Sequence, residues 1–440
     1  MSSPRPAPGG QVGLPTALAL VVGGMIGSGV FMLPASLAPY RGTSLIGWVV
    51  SAGGSVLLAL VFARLARAHP ATGGPYAYTR RAFGTFAGFL VGWGYWISCW
   101  TTNGALAVAF VGYLDPFFPS AVRHPATAAL MAVAAVWTLT WVNSRGVRAA
   151  GRVQITTTVL KVLPLLLIGF AGLARFAPSH FEVTAASPAA LGADVLAVVT
   201  LTLWAFLGLE TATIPAGSVR NAARVIPRAT VLGTLGAAAI YIVSTVGVMS
   251  VVPPETLART TAPFADAARA LFGEPAALLV AAGAAISCFG ALNAWVLLVG
   301  QVPMAMADDG LFPPVFAHRS TRHTPTRGMI VGAILTTALI ATNYTQGLVS
   351  LFTFIILLAT LSVLVPYAFC SLAVFFDAGA AGARGPRRGP AAIAALAFAY
   401  ALVAIAGAGA ETVYWGFLLL LAGLPVYVWV VRREHAGAPS

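Results

Sequence analysis

The feature that most constrains this chain is a succession of apolar runs that continues almost to its end. Most are about 20 residues or longer, the length a helix needs to cross a bilayer, and only short polar stretches separate them. Such runs have two homes, the core of a large soluble domain or a membrane. Composition decides between them. The chain is 59% hydrophobic and 8% charged, against roughly 25% charged in soluble domains. A soluble surface needs polar cover that this chain does not have, so its outer face must meet lipid.

The expected spans lie at about 14–38, 43–66, 85–114, 125–143, 152–173, 193–217, 229–252, 275–307, 327–343, 349–376, 391–409 and 412–432. Gly, Pro or Arg occupies most interruptions. The longest connections, near 69–84, 253–274, 308–326 and 377–390, are too short for a soluble domain. Residues 1–12 are Pro/Gly-rich and read as a disordered cytoplasmic segment. The apolar run after them is too long for a signal-peptide core and has no small-residue cleavage site, so it is expected to stay as the first helix. Residues 13–190 and 191–376 then hold five spans each, 377–433 the last two, and 434–440 a cytoplasmic tail.

Basic residues concentrate on the cytoplasmic side of membrane proteins. With the N-terminus inside, 19 arginines fall in inside segments and five outside, and Lys161, the single lysine, lies within a span. This alternation supports twelve spans with both termini in the cytoplasm. It also accounts for the net charge of +13 without nucleic acid, which would need a patterned basic face on a soluble surface. Cys99, Cys288 and Cys370 sit inside apolar runs with no CxxC spacing, so neither a disulfide framework nor a metal site is expected. No HExxH, nucleophile elbow or cofactor fingerprint appears, and no filter loop or polar ring of a channel. The expected class is therefore a transporter, without cofactor or metal.

Two spans carry interruptions. Span 1 contains Gly23-Gly24-Met25-Ile26-Gly27-Ser28-Gly29, and span 6 contains Trp204-Ala205-Phe206-Leu207-Gly208-Leu209-Glu210 followed by Pro215. Glycine in a span also permits close helix packing. Unwound backbone, by contrast, is tolerated in a membrane only where it is buried in protein or lines a cavity. Five spans separate the two starts, so the second runs in the opposite direction, as an inverted repeat of five helices requires. In such folds half-helix N–H groups bind a substrate carboxylate, and free carbonyls take an ammonium. Glu210 is a carboxylate within a span, and burying one is costly enough to mark a functional candidate. Lys161 lies too deep in span 5 to reach the interface easily.

Gly27-Ser28-Gly29-Val30-Phe31 with Pro34 resembles the opening helix of the amino acid–polyamine–organocation superfamily. Gly73-Gly74-Pro75-Tyr76-Ala77-Tyr78, Arg80 to Gly84, Tyr95-Trp96, Cys99-Trp100, Asn103, Trp204 to Glu210, and Trp295 through Ala307-Asp308-Asp309-Gly310 to Pro314 resemble its basic amino acid/polyamine antiporter branch, most nearly the arginine/agmatine type. The resemblance implies an all-α LeuT-like fold of two inverted five-helix repeats plus two helices, often homodimeric, in a bacterial inner membrane. It implies a substrate site of Met25, Ile26, Gly27, Ser28, Gly29, Ser98, Asn103, Trp204, Ala205, Leu207, Trp295 and Ala359. Ser28 and Gly29 would hold the carboxylate, and the carbonyls of Met25, Trp204 and Leu207 the ammonium. The Trp204 ring would stack on the substrate by a cation–π contact, Asn103 would bind the distal group, and Trp295 would cap the pocket. Tyr95 and Glu210 would gate the exit with a proton-linked role. Lys161 resembles a span 5 lysine that replaces a sodium ion beside span 1 in other members, which implies sodium independence and a part in proton coupling.

The chain departs from the arginine/agmatine pattern at Ala205 and Ala359, where serines are expected, and at Leu106, where a methionine is. Two functions therefore stand at this point: exchange of a cationic amino acid for its amine product, and proton-coupled uptake of a neutral amino acid.

Overall fold

A helix of 12 residues is about 18 Å long, too short for a hydrocarbon layer of about 30 Å. The first span is built from two such pieces, α1 (Leu14–Met25) and α2 (Gly29–Leu37), bent by 42° across the break between them. The computed structural model describes residues 12–260, 262–342, 348–376, 388–407 and 410–437. Of the expected disordered segment 1–12, residues 1–11 lie outside the described residues, as do the loop arginines Arg384 and Arg387 and the last three residues, whereas Val12 is ordered, buried and bridged to Val219.

The helices that follow are α3 (Thr43–Ala68), α4 (Pro75–Gly112), α5 (Pro125–Ser144), α6 (Val147–Leu173), α7 (Pro188–Leu203), α8 (Ala222–Val251), α9 (Pro263–Phe272), α10 (Glu274–Asp308), α11 (Thr326–Thr342), α12 (Leu348–Ala373), α13 (Arg388–Gly407), α14 (Ala410–Leu421) and α15 (Leu424–Gly437). Among the described residues, eight helices are long and apolar enough to cross a membrane unaided, and the bent α1–α2 pair makes nine. The remaining three expected spans correspond to α4, α11 and α12. One boundary differs from expectation. Residues 75–83, read from sequence as connection, are helical and continue into α4 through a kink at Gly84, whose φ is 86°. The pair Arg80-Arg81 suggested a loop, but Tyr76, Tyr78 and Thr79 of this short helix are buried.

α1 lies against α6, α8 and α10, while α4 packs on α10 and α12. α6 and α8 meet at glycine, where a Cβ on Gly172 would sit 2.1 Å from the Gly247 carbonyl oxygen. Only small residues permit so close a backbone approach. A buried amide chain ties four helices together: Asn143 Nδ2 donates to Asn293 Oδ1 (3.1 Å), Asn293 Nδ2 to Gln154 Oε1 (2.8 Å), and Gln154 Nε2 to the Ala19 carbonyl (3.2 Å). Large apolar side chains such as Val49, Leu130, Phe170 and Leu279 stand exposed on the outside. That is the reverse of a soluble surface and fits lipid as the solvent.

Candidate functional site

α1 stops because Ile26 turns extended (φ −75°, ψ 93°) and the helix restarts only at Gly29. The carbonyls released by that break are bonded by side chains from distant spans. Lys161 Nζ donates to Gly23 O at 2.7 Å and to Ile26 O at 2.5 Å. Ser287 Oγ donates to Ile26 O (3.2 Å) and Gly27 O (3.1 Å), and Trp295 Nε1 to Gly24 O (3.4 Å). A lysine ammonium has three donors and no acceptor, and here it finds carbonyl oxygens instead of a carboxylate.

The second interruption is longer. α7 ends at Leu203, and the chain continues to Val219 only through 3-10 turns at Trp204–Phe206, Thr211–Thr213 and Ala216–Ser218. Gly208 has φ 104°, in the region that favours glycine. A Cβ there would also lie 3.1 Å from the Gly24 carbonyl carbon. The two breaks therefore touch backbone to backbone, and Thr211 Oγ1 donates to Leu20 O at 3.0 Å beside them.

Between the breaks lies a cavity of about 20 Å³ lined by Gly24, Met25, Gly27, Ser28, Gly29, Thr102, Leu106, Trp204, Ala205, Leu207 and Trp295. That is room for about one water, so an amino acid enters only if the walls part. The Trp204 ring rests on Gly29, where a Cβ would meet its Cδ1 at 2.6 Å. Ser28 Oγ is buried with no hydrogen-bond partner among the described residues, and so is Asn103 Oδ1. A buried hydroxyl is normally paired, so an orphan beside a cavity calls for a ligand or water.

Of the expected site residues, the cavity gathers Met25, Gly27, Ser28, Gly29, Trp204, Ala205, Leu207 and Trp295. Ile26 is buried behind it with its carbonyl turned to Lys161 and Ser287. Ser98, Asn103 and Ala359 are buried but do not line it. Ser98 Oγ instead donates to Tyr95 O at 2.6 Å. The wall of α4 is formed by Thr102 and Leu106. These stand four residues apart on one helix face, and Asn103 points about 100° away from Thr102.

Glu210, which follows Gly208 in the second break, is fully buried and does not line this cavity. Tyr95 donates to its Oε1 at 2.5 Å, and Tyr367, from α12, donates to its Oε2. Tyr367 OH in turn accepts from Gly208 N–H at 3.3 Å. The Tyr95 ring stacks on Trp295, with centroids 6.3 Å apart and planes at 24°. Reasoning from sequence missed Tyr367, Ser287 and Thr102. For Thr102 the helical face shared with Leu106 was the available signal.

Contacts close the structure on both sides of the breaks. On the side of the N-terminus, Val12 N–H donates to Ser218 O (2.9 Å) and Arg220 N–H to Val12 O (3.0 Å), while Arg80 pairs with Asp309 at 2.8 Å. On the other side Phe31 packs against Tyr113 and Phe264, and Arg41 pairs with Glu255 at 2.7 Å.

This architecture of two abutting breaks can be set against known proteins. The sequence profile of the amino acid permease family matches residues 12–431. The chain belongs to that family. Among its relatives, this permease is 35% identical to the cadaverine/lysine antiporter of Escherichia coli K12 over 75% of this chain and 74% of that one. It is 33% identical to a putative arginine/ornithine antiporter of Bacillus subtilis over 94% of this chain and 96% of the relative. The putrescine transporter PotE of E. coli K12 is 30% identical over 96% and 97%. These relatives place the permease in the basic amino acid/polyamine antiporter branch of the amino acid–polyamine–organocation superfamily. The crystal structure of MhsT in complex with L-phenylalanine superposes with a TM-score of 0.67 at 14% identity, covering 90% of this chain and 98% of that one. That likeness shows the LeuT-like fold. The chain is thus a multi-pass membrane protein whose relatives are transporters rather than enzymes.

Proposed function

We propose that this permease is a sodium-independent exchanger that moves a cationic amino acid in one direction and its amine product in the other by alternating access. The observation that carries the reading is the unpartnered Ser28 hydroxyl in a cavity pinched between two broken spans. Ser28 and the free N–H groups at the start of α2 would hold the substrate carboxylate, where the helix dipole favours an anion. The carbonyls of Met25, Trp204 and Leu207 would take the ammonium. The Trp204 ring would lie on the aliphatic or guanidinium part, Trp295 would cap the pocket, and Asn103 would reach the distal group once the walls open. Tyr95 and Glu210 would form the gate toward the cytoplasm and couple it to protons. Lys161 would supply the positive charge that a sodium ion supplies elsewhere. Arginine with agmatine is the pair most consistent with the sequence motifs. Among the names of the relatives, lysine with cadaverine, and putrescine, fit the same amino acid–amine chemistry, while arginine with ornithine shares only the cationic side chain. We place the permease in a bacterial inner membrane, as a homodimer with both termini in the cytoplasm.

A second reading has its own support. Among the described residues no acidic side chain lines the cavity, and Leu106, Ala205 and Leu207 give it apolar walls, which suits uptake of a neutral amino acid with protons. Purified protein in liposomes loaded with unlabelled arginine, compared with buffer-loaded liposomes, separates the two. Labelled arginine should enter only against internal substrate, and agmatine, ornithine or lysine should compete. Proton-driven uptake of leucine or alanine without counter-substrate would replace the exchanger with the neutral permease.

A further inference from the structure

The turn between α5 and α6 carries more cationic chemistry than a hairpin needs. Gly146, with φ 117°, reverses the chain between the two helices. Trp141 and Arg145 stand one helical turn apart near the end of α5, with the guanidinium carbon 4.3 Å from the ring centre. Arg152 and Val153 come from the first turns of α6. Arg322 arrives from the segment after α10, which Thr324 Oγ1 fixes by donating to Ser144 O at 3.3 Å. Together with Val142 these side chains line a groove of about 600 Å³, and among the described residues no acidic one lines it.

Arginines at helix ends serve to orient a membrane protein, and that need would be met by charges scattered over the face. Here three guanidiniums from three separate segments line one open groove together with Trp141, Val142 and Val153. We propose that this groove binds the phosphate headgroup of an anionic membrane lipid. A guanidinium presents paired donors that match phosphate oxygens, and basic pockets between spans are suited to such headgroups. A lipid, rather than free phosphate, follows from what adjoins the groove. The outer face of α5 exposes Leu130, Trp137 and Trp141, so an acyl chain would continue from the headgroup down that face. Tryptophan at the groove mouth fits the level where hydrocarbon meets headgroups.

The test is native mass spectrometry of the full chain in detergent, titrated separately with short-chain phosphatidylglycerol, phosphatidylcholine and inorganic phosphate. Phosphatidylglycerol should bind about tenfold more tightly than phosphatidylcholine, and Arg152→Gln and Arg322→Gln should each weaken it about fivefold. Arg224→Gln, on the exposed start of α8 and outside the groove, should leave it unchanged. Equal losses at Arg224, or no loss at Arg152 and Arg322, would overturn the site. Displacement of phosphatidylglycerol by millimolar inorganic phosphate would overturn the lipid as its occupant. Should a glutamine variant fail to insert, Trp141→Leu keeps every charge and removes the ring beneath Arg145. It should cut phosphatidylglycerol affinity about threefold, and unchanged affinity would sink the proposal.

Discussion

The two broken spans solve one physical problem in opposite ways. Both expose backbone groups inside a protein that offers no bulk water. At the first break the chain contributes only backbone and Ser28, and neutralisation comes from outside: Lys161, Ser287 and Trp295, from two other helices, donate to Gly23, Gly24, Ile26 and Gly27 carbonyls. At the second break the chain carries its own polar group, Glu210, and outside help takes the form of tyrosine donors, Tyr95 and Tyr367. A cation therefore sits behind one break and an acid behind the other, with the cavity beside both. The first break is a short gap between two real helices, whereas after α7 the second offers only 3-10 turns. The first is thus the better scaffold for a fixed binding site, and the second is better suited to rearrange.

If the first break depends on its imported charge, Lys161→Met is the most damaging single change. It leaves the Gly23 and Ile26 carbonyls without the ammonium, and each hydrogen bond to a charged group is worth about 1.5–3 kcal/mol. Exchange in liposomes should fall about a hundredfold or more, with a lowered thermal unfolding midpoint. Replacing external sodium by choline should leave the parent protein unchanged. A fully active Lys161→Met protein would break the comparison at its root.

Contact between the breaks predicts an asymmetry in glycine tolerance. Gly208→Ala places a side chain at φ 104° and 3.1 Å from backbone, which should cost about 2–3 kcal/mol. At Gly24 a Cβ would meet Thr211 Cγ2 at 2.9 Å, but φ there is helical, so the backbone strain of Gly208 is absent. Gly24→Ala should therefore lower the unfolding midpoint less than Gly208→Ala does, and the reverse order would mean that the second break yields more readily than its geometry implies.

A gate at the second break should separate rate from affinity. Tyr367→Phe removes one donor to Glu210 and the acceptor of the Gly208 N–H, worth about 1–3 kcal/mol, and touches none of the cavity lining. The exchange rate should change about fivefold, while the substrate concentration at half-maximal uptake stays fixed. An equal change in both would move Tyr367 from gating to binding.

Much of this contrast could be read in the sequence, for physical reasons that also explain the omissions. Glycines, Pro215 and an acid interrupting apolar runs mark the breaks at Gly23–Gly29 and Gly208–Glu210, because each is costly there. Lys161 stood out because a lone cation deep in a span must find a partner. Ser287 and Tyr367 gave no such signal: serine and tyrosine are ordinary in spans, and their partners lie more than a hundred residues away. Asn103 was favoured over Thr102 by the family resemblance, whereas helical phase points Thr102 at the cavity. The helix at 75–83 was hidden because Arg81 is exposed and Arg80 pairs with Asp309, while Tyr76 and Tyr78 are buried.

The smallest effect tests whether the caps on the first break act together. Ser287 and Lys161 share the Ile26 carbonyl as acceptor, and Ser287 alone also reaches Gly27 O. Ser287→Ala should therefore cost about 1 kcal/mol, since Ile26 O keeps its ammonium. In a Lys161→Met background the same change removes the last side-chain donor to Ile26 O among the described residues, so it should cost more. Residues that share a partner show coupling of about 0.5–3 kcal/mol in a double-mutant cycle. Thermal unfolding of the two single variants and the double variant measures that coupling. A cost for Ser287→Ala that is the same in both backgrounds would mean the two donors serve separate carbonyls, and the first break would then be held by independent contacts instead of one shared cap.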